Sequence, residues 1–254
     1  MKSETFLPNG VTIIGYGNLG KHLATAFHSK GIRIRQIYSS KKQSTLYGAE
    51  LISSTELIND SSDIYFLTVP DDQIEKVSKS QKLRGKFIVH CSGSTPLSAL
   101  PAKRRGVFYP LQSFTDGSKV NWKEIPILIE ASSFEDLDLL STTGELLSDR
   151  VTQIDSDKRL HLHLAAVIAS NFTTHCITLS DQILNEQNLD KEILKPLIRS
   201  SIEKALSLGG RAAQTGPAIR QDKKVMDKHL KLLEENLLLK KIYTLVSESI
   251  IKSK

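Results

Sequence analysis

Val11-Thr12-Ile13-Ile14-Gly15-Tyr16-Gly17-Asn18-Leu19-Gly20 is the stretch whose reading decides the fold. Its first four residues are apolar or β-branched and read as a buried strand. From Leu19 to Ser29, the apolar residues Leu23, Ala26 and Phe27 recur at helical spacing. Between strand and helix, Gly15, Gly17 and Gly20 form a G-x-G-x-x-G run. In that setting the first glycine permits a tight turn, the second lets a pyrophosphate approach the backbone, and the third lets helix and strand pack closely. The helix start adds unpaired N–H groups and the positive end of the helix dipole. The stretch predicts a nicotinamide-dinucleotide site built from Gly15, Gly17, Asn18, Leu19 and Gly20. The competing reading is a glycine turn that binds nothing.

Working outward, residues 32–38, 63–69, 86–90, 125–129 and 151–154, with Phe108, read as further strands. Residues 134–147 read as a helix. Strands alternating with helices predict a doubly wound, mostly parallel Rossmann-type α/β sheet. The unbroken apolar run Ile64-Tyr65-Phe66-Leu67 suits a strand buried on both faces. After about residue 155 the pattern turns helical, predicting an all-α domain over 155–254 behind a dinucleotide-binding domain over 1–154. Its helices are expected at 157–186, 190–208 and 222–251. The first carries Leu160, Leu164, Val167, Ile168 and Phe172, the second has Pro196 as a possible kink and ends at Gly209-Gly210, and Asp222 is placed to cap the third. The third is apolar on more than one face, which predicts burial against neighbours, including a second subunit, and so a homodimer through the helical domain.

The end of the second strand separates the two nicotinamide cofactors. NAD sites place an acid about 20 residues after the loop to hold the ribose 2′-hydroxyl. Here the residues are Tyr38-Ser39-Ser40-Lys41-Lys42, with no acid. Hydroxyls and ammonium groups suit a 2′-phosphate, so NADP is expected, with NAD less favoured and Ser39, Ser40 and Lys41 as its ligands. Val69-Pro70 and Ser92 end later strands, at the edge where open α/β sheets bind ligands, and join the cofactor set.

The whole chain sets limits on function. It has 254 residues and a net charge of +6, which suits a small anionic substrate or cofactor phosphate. The basic residues are scattered among acids, so no nucleic-acid partner is expected. No apolar run reads as long enough to span a bilayer and no signal peptide is apparent, so no membrane partner is expected. Cys91 and Cys176 read as packed thiols in a reducing cytoplasm. His161 lies two residues from His163 and faces elsewhere on a helix, so no metal site is expected.

Three segments carry a family resemblance: Tyr109-Pro110-Leu111-Gln112-Ser113-Phe114, the helix His163 to Phe172, and Gln214-Thr215-Gly216-Pro217-Ala218-Ile219-Arg220-Gln221-Asp222. With the glycine loop and Val69-Pro70, the chain resembles the two-domain bacterial Rossmann-like proteins that carry a C-terminal domain of unknown function. These are distant relatives of pyrroline-5-carboxylate reductase, deazaflavin-dependent NADP reductases and β-hydroxyacid dehydrogenases. The resemblance implies a helical, dimer-forming second domain. In the β-hydroxyacid dehydrogenases a helix presents a Lys and, four residues on, an Asn to the substrate. Asn171 matches that Asn, but Val167 stands in the place of the Lys.

His163 sits one turn before Val167, and positions 163, 167, 170 and 171 share a helix face. Reduction of C=O or C=N needs a proton donor beside the hydride acceptor, and histidine titrates in the useful range. His163 is therefore the candidate general acid and Asn171 the residue that orients substrate, with the interdomain cleft as the expected place; the alternative is a buried histidine hydrogen-bonded within the helical core. Ser170, Gln214, Thr215, Arg220 and Gln112 complete the candidate substrate set. Arg220 has the planar fork that grips a carboxylate, or alternatively pairs with Asp222. These residues describe an NADP-dependent reductase of a small keto or imino acid. The missing lysine leaves a second reading, an NADP(H)-binding sensor without turnover.

Overall fold

The computed structural model describes residues 7–39 and 46–253. Eight strands form one sheet: β1 (Val11–Ile14), β2 (Ile34–Tyr38), β3 (Glu50–Ile52), β4 (Ile64–Leu67), β5 (Ile88–His90), β6 (Arg105–Pro110), β7 (Ile127–Ala131) and β8 (Val151–Gln153). Their order is β3-β2-β1-β4-β5-β6-β7-β8. Every pairing is parallel except β6 with β7, which is antiparallel. The chain reverses direction away from β1 between β3 and β4, the kind of switch point at which open sheets bind ligands. This is a Rossmann-type α/β architecture.

Both faces of the sheet are covered. Val11 and Ile13 pack with Leu23 and Phe27 of helix α1 (Asn18–Ser29) on one side, while Ile14 packs with Tyr65, Leu67 and Ile74 on the other. Ile74 belongs to α2 (Asp71–Ser78). This two-sided burial is why β1 and β4 read as unbroken apolar runs. Helix α3 (Phe134–Glu145) begins at Ser133, whose side chain accepts from the Asp136 N–H. Its Leu139 and Leu140 are buried.

Contacts divide the chain into two compact units, Met1–Ala169 and Ser170–Lys254. The division falls inside a helical segment rather than at residue 154, because α4 (Ser156–Ala166) is tied to the sheet by Arg159. The Arg159 guanidinium, 1% exposed, pairs with Glu130 on β7 and donates to the Thr95 carbonyl at 2.6 Å.

The helical unit contains α5 (Thr173–Glu186), α6 (Lys195–Leu208), the single turns α7 (Gly210–Ala213) and α8 (Pro217–Arg220), α9 (Lys223–Leu232) and α10 (Leu237–Lys252). Pro196 does not kink a helix; it stands in the first turn of α6, where its missing N–H costs nothing. The long helix expected over 222–251 is broken after Leu232, and the Asn236 side chain caps α10 by accepting from the Leu239 N–H at 3.0 Å. Asp222 caps α9, accepting from the Val225 N–H at 3.2 Å.

Further expectations are corrected. Cys91 is buried, but Cys176 is exposed. Residues Ser156–Glu186 form a helical run of 31 residues whose most apolar window has a mean hydropathy of 1.2, long and apolar enough by length and composition to cross a bilayer. That departs from the expectation that no such run exists. Asn171, Thr173, Thr174 and His175 lie within it, polar groups that hydrocarbon does not accommodate cheaply.

Candidate functional site

The three glycines do three different things. Gly15 has φ of +107°, a conformation side-chain-bearing residues rarely adopt, and a Cβ there would meet the Thr68 carbonyl oxygen at 2.8 Å. A Cβ on Gly20 would run into the Gly15 carbonyl oxygen, so only glycine lets α1 pack this close to the turn. A Cβ on Gly17 would meet nothing within 4 Å. No side chain caps the first turn of α1. An uncapped helix start with open space over Gly17 fits a dinucleotide pyrophosphate. Val69 lies beside Gly15, and Pro70 is the N-cap of α2.

Asn18 and Leu19 are at the start of α1, with Asn18 exposed. The segment that follows β6 runs across this first turn. Asn18 Nδ2 donates to the Phe114 carbonyl at 3.1 Å, Lys21 pairs with Asp116 at 2.7 Å, and the His22 ring nitrogen lies 3.0 Å from the Thr115 carbonyl. Lys21 holds the Asp116 carboxyl below its ordinary range. Tyr109 and Pro110 thus end β6, and Phe114, Thr115 and Asp116 beyond them are strapped to the start of α1. Gln112 is exposed, and its Oε1 accepts from the neighbouring Ser113 N–H at 2.8 Å. A cavity of about 390 Å³ opens beside α1, lined by Tyr16, Lys21, His22, Tyr47 and Asp116 among others. Burial there, and secondarily Tyr47, pushes the Tyr16 phenol up to about 12.

At the end of β2 the Ser39 N–H donates to the Ile52 carbonyl at 3.1 Å. Ser40 and Lys41, expected to bind the 2′-phosphate, lie outside the described residues. Ser92 is buried, and its side chain organises its own loop. Its hydroxyl donates to Asp71 at 2.7 Å and accepts from the Ser94 and Thr95 N–H groups at 3.1 and 2.9 Å. The Ser94 hydroxyl donates to the same Asp71 oxygen at 2.6 Å. A carboxylate following β4 therefore fixes the loop following β5.

His163 lies in the α/β unit, at the carboxyl end of the sheet. Its Nδ1 is 3.0 Å from the Tyr109 hydroxyl oxygen, and the two rings meet edge-on with centroids 5.9 Å apart. Both rings press on Gly93: a Cβ there would lie 2.6 Å from His163 Nδ1 and 2.8 Å from Tyr109 Cζ. Burial, then the Asp71 charge, raises the Tyr109 pKa, so the phenol keeps its proton. Beneath the loop, His90 is fully buried, and its Nδ1 accepts from the Ser92 N–H at 3.2 Å. Burial first, then the Arg159 charge, lowers its pKa to about 4. Tyr109, Asp71, Gly93 and Arg159 were not among the candidate site residues, although the strand-end segments 68–72 and 90–94 and the Tyr109-to-Phe114 run contain the first three.

Ser170 and Asn171 are exposed in a π-helical stretch, Val167–Phe172. Such stretches are rare and concentrate at functional sites. The regular-helix face argued for residues 163 to 171 does not apply through it, because the turn there is wider. Gln214, Thr215 and Arg220 are exposed in the helical unit, and Gln214 Nε2 donates to the Thr215 carbonyl at 2.9 Å. Asp222 is occupied in capping, and Arg220 forms no ion pair among the described residues.

Residues 10–93 match the family model described as NADP oxidoreductase coenzyme F420-dependent, and residues 125–250 match the domain of unknown function DUF2520. No curated protein matches the sequence. Among solved structures, BF3122 of Bacteroides fragilis, described provisionally as an NADP oxidoreductase, is 35% identical, with 96% of this chain and 98% of that one covered and a TM-score of 0.86. The protein TM1727 of Thermotoga maritima is 24% identical over 94% of this chain and 98% of its own, with a TM-score of 0.77. A Plasmodium falciparum pyrroline carboxylate reductase with NADP bound shares the fold at 15% identity, covering 96% and 97% of the two chains with a TM-score of 0.58. The chain belongs to the family that joins a Rossmann-like domain of the F420-dependent NADP oxidoreductase type to a C-terminal DUF2520 helical domain.

Proposed function

We propose that this protein is an NADP-dependent reductase of a small keto or imino acid, with His163 as the proton donor. The observation that carries the reading is that His163 is held at the ligand-binding end of the same sheet that carries the glycine loop, against Gly93 and Tyr109. NADP is the cofactor, in keeping with the family description and with the lack of an acid at the end of β2. Bound NADPH supplies the hydride. His163 supplies the proton to the substrate's oxygen or nitrogen. Asn171 is the candidate for orienting the substrate, Ser170, Gln112, Gln214 and Thr215 are candidates for further polar contacts, and Arg220, free of ion pairs among the described residues, is suited to a carboxylate. The test is NADPH oxidation by the purified protein across a panel of 2-keto acids and cyclic imino acids. Turnover with at least one, reduced by about 100-fold or more in His163→Gln, supports the reading. No turnover with any member, alongside tight NADPH binding, favours the sensor reading that Val167 in place of a lysine suggests.

The second part of the proposal is a homodimer through the helical unit. In the helical unit Leu197, Leu206, Leu238 and Leu245 are each more than 60% exposed. A groove of about 330 Å³ in the helical unit is lined by Leu179, Ile183, Leu239, Ile242, Val246 and Ile250 among others. Exposed leucines together with an apolar groove in one unit suit a second copy, since monomers rarely expose such patches. The exposed Cys176 thiol suits a reducing cytoplasm, where the protein is proposed to act.

A further inference from the structure

We infer that Tyr109 is a positioning residue for His163, fixing which of its two ring nitrogens delivers the proton. The inference rests on the reading of His163 as proton donor and adds to it an assignment of atoms. Four observations carry it. The Tyr109 oxygen faces Nδ1, not Nε2, at 3.0 Å. The rings pack edge-on, and both lie so close to Gly93 that no side chain fits there, so neither ring can swing away on the loop side. Asp71 is fixed by two serine hydroxyls and lies near enough for its charge to be felt at the phenol. The helix that carries His163 is pinned one turn earlier by the buried Arg159, which pairs with Glu130.

Together these set the direction of the hydrogen bond. As the proton donor His163 is an imidazolium with a hydrogen on each ring nitrogen, so the nitrogen facing Tyr109 at 3.0 Å must donate to the phenol oxygen, which keeps its own hydrogen. Nδ1–H then donates to Tyr109 and stays in place throughout, and Nε2 is the nitrogen that gains and loses the proton. In the reductive step the Nε2–H bond breaks and its proton passes to the substrate's oxygen or nitrogen, while the substrate carbon receives the hydride with its electron pair. His163 goes from imidazolium to the neutral Nδ1–H tautomer and regains a proton at Nε2 from solvent. Tyr109 keeps its own proton and contributes no atom to the product. Arg159 and His90 are the other ionisable groups around this loop, and His90, neutral in the folded state, adds no charge.

The chain contains its own references. His161 lies 2.7 Å through Nδ1 from the Asp157 carbonyl, which only accepts, so it must be the Nδ1–H tautomer when neutral. His229 meets Tyr243 through Nδ1 at 2.9 Å in the helical unit, the same pairing without an Asp71. Nitrogen-15 NMR of the histidine-labelled full chain above the histidine titration range reads the tautomer of each ring, with His163→Gln assigning the His163 signals. The expected result is an Nδ1–H signature for His163 that moves toward a mixed tautomer in Tyr109→Phe, which keeps the packed ring and removes only the hydroxyl. Steady-state kinetics of the same variant should show kcat lowered about 10-fold or more with KM for NADPH unchanged. An Nε2–H signature in the wild type, or one that Tyr109→Phe leaves unmoved, overturns the assignment. The NMR result needs no turnover, so it stands or falls separately from the reductase reading.

Discussion

The two compact units bury their residues very differently. In the α/β unit the strands and α1 carry long runs of side chains at or near zero exposure, among them Ile13, Leu23, Phe27, Phe66, Val89 and Phe108. In the helical unit, among the described residues, only Ala218, Leu239 and Ser247 are buried, while Leu197, Leu206, Leu238 and Leu245 are each more than 60% exposed. Apolar burial at about 25 cal/mol per Å² is the main force that holds a fold together. The first unit has this within one chain, and the second has the apolar residues without the cover. The difference teaches that the first unit can hold atoms in fixed places by its own packing, whereas the second leaves exposed the apolar side chains that the proposed second copy would cover.

The same contrast runs through the two histidine–tyrosine pairs. Tyr109–His163 and Tyr243–His229 have nearly the same hydrogen-bond lengths and the same edge-on packing. The first is walled in by Gly93, with Asp71 close enough for its charge to reach the phenol and Arg159 pinning the helix beside it. The second sits among exposed helices, and Tyr243 lines the apolar groove. A hydrogen-bonded pair is therefore no site by itself; the rigid frame around it makes the first a candidate donor.

The contrast can be broken at its strongest point by Arg159→Leu. This change leaves the largely buried Glu130 carboxylate without its partner, and removing one member of a buried pair typically costs about 3–5 kcal/mol. Chemical denaturation should show a loss of that size in the α/β transition, and a loss below about 1 kcal/mol would mean that α4 is not anchored as described.

A smaller effect is expected from His90. Its folded pKa of about 4 lies below the ordinary histidine value of 6.5, so the unfolded chain takes up the proton first. Its contribution is full above pH 6.5 and is lost as the pH falls toward 4, at about 1.4 kcal/mol per pH unit. Denaturation of His90→Gln over that interval should lack this one-proton slope. A slope equal to that of the wild type would contradict the account.

Least of all should be felt in the α/β unit when Leu245, 66% exposed on α10, becomes Glu. The α/β transition should move by less than about 0.5 kcal/mol, as for other surface changes. Sedimentation should nevertheless shift from a two-chain to a one-chain mass. A wild type that already sediments as a single chain at high concentration removes the homodimer from the account.

How much of this was legible in the sequence depended on whether the cause was local. Val11 to Gly20 could be read because strand, turn and helix start are consecutive, and each glycine's task follows from its neighbours. The short edge strand β3 escaped notice because Glu50 is exposed and three residues carry no periodicity. Arg159 reads as a surface residue, since a charged side chain is almost never fully buried without a partner, and its partner Glu130 lies in a strand 29 residues away. Tyr109 and His163 are 54 residues apart, and they meet because Arg159 ties α4 to Glu130 and to the Thr95 carbonyl beside the end of β6. The π-helical stretch at Val167–Phe172 is likewise invisible to a 3.6-residue period, yet it holds Ser170 and Asn171.

The central claim is that hydride leaves bound NADPH for a small acid while His163 gives the proton. Single-turnover reaction with NADPH deuterated at both nicotinamide C4 positions, run against the keto and imino acid panel with product analysis by mass spectrometry, tests it most directly. The account predicts one deuterium on the reduced carbon of a product, formed about 100-fold or more slowly by His163→Gln while NADPH affinity is unchanged. NADPH that binds tightly yet transfers no deuterium to any member of the panel would contradict it.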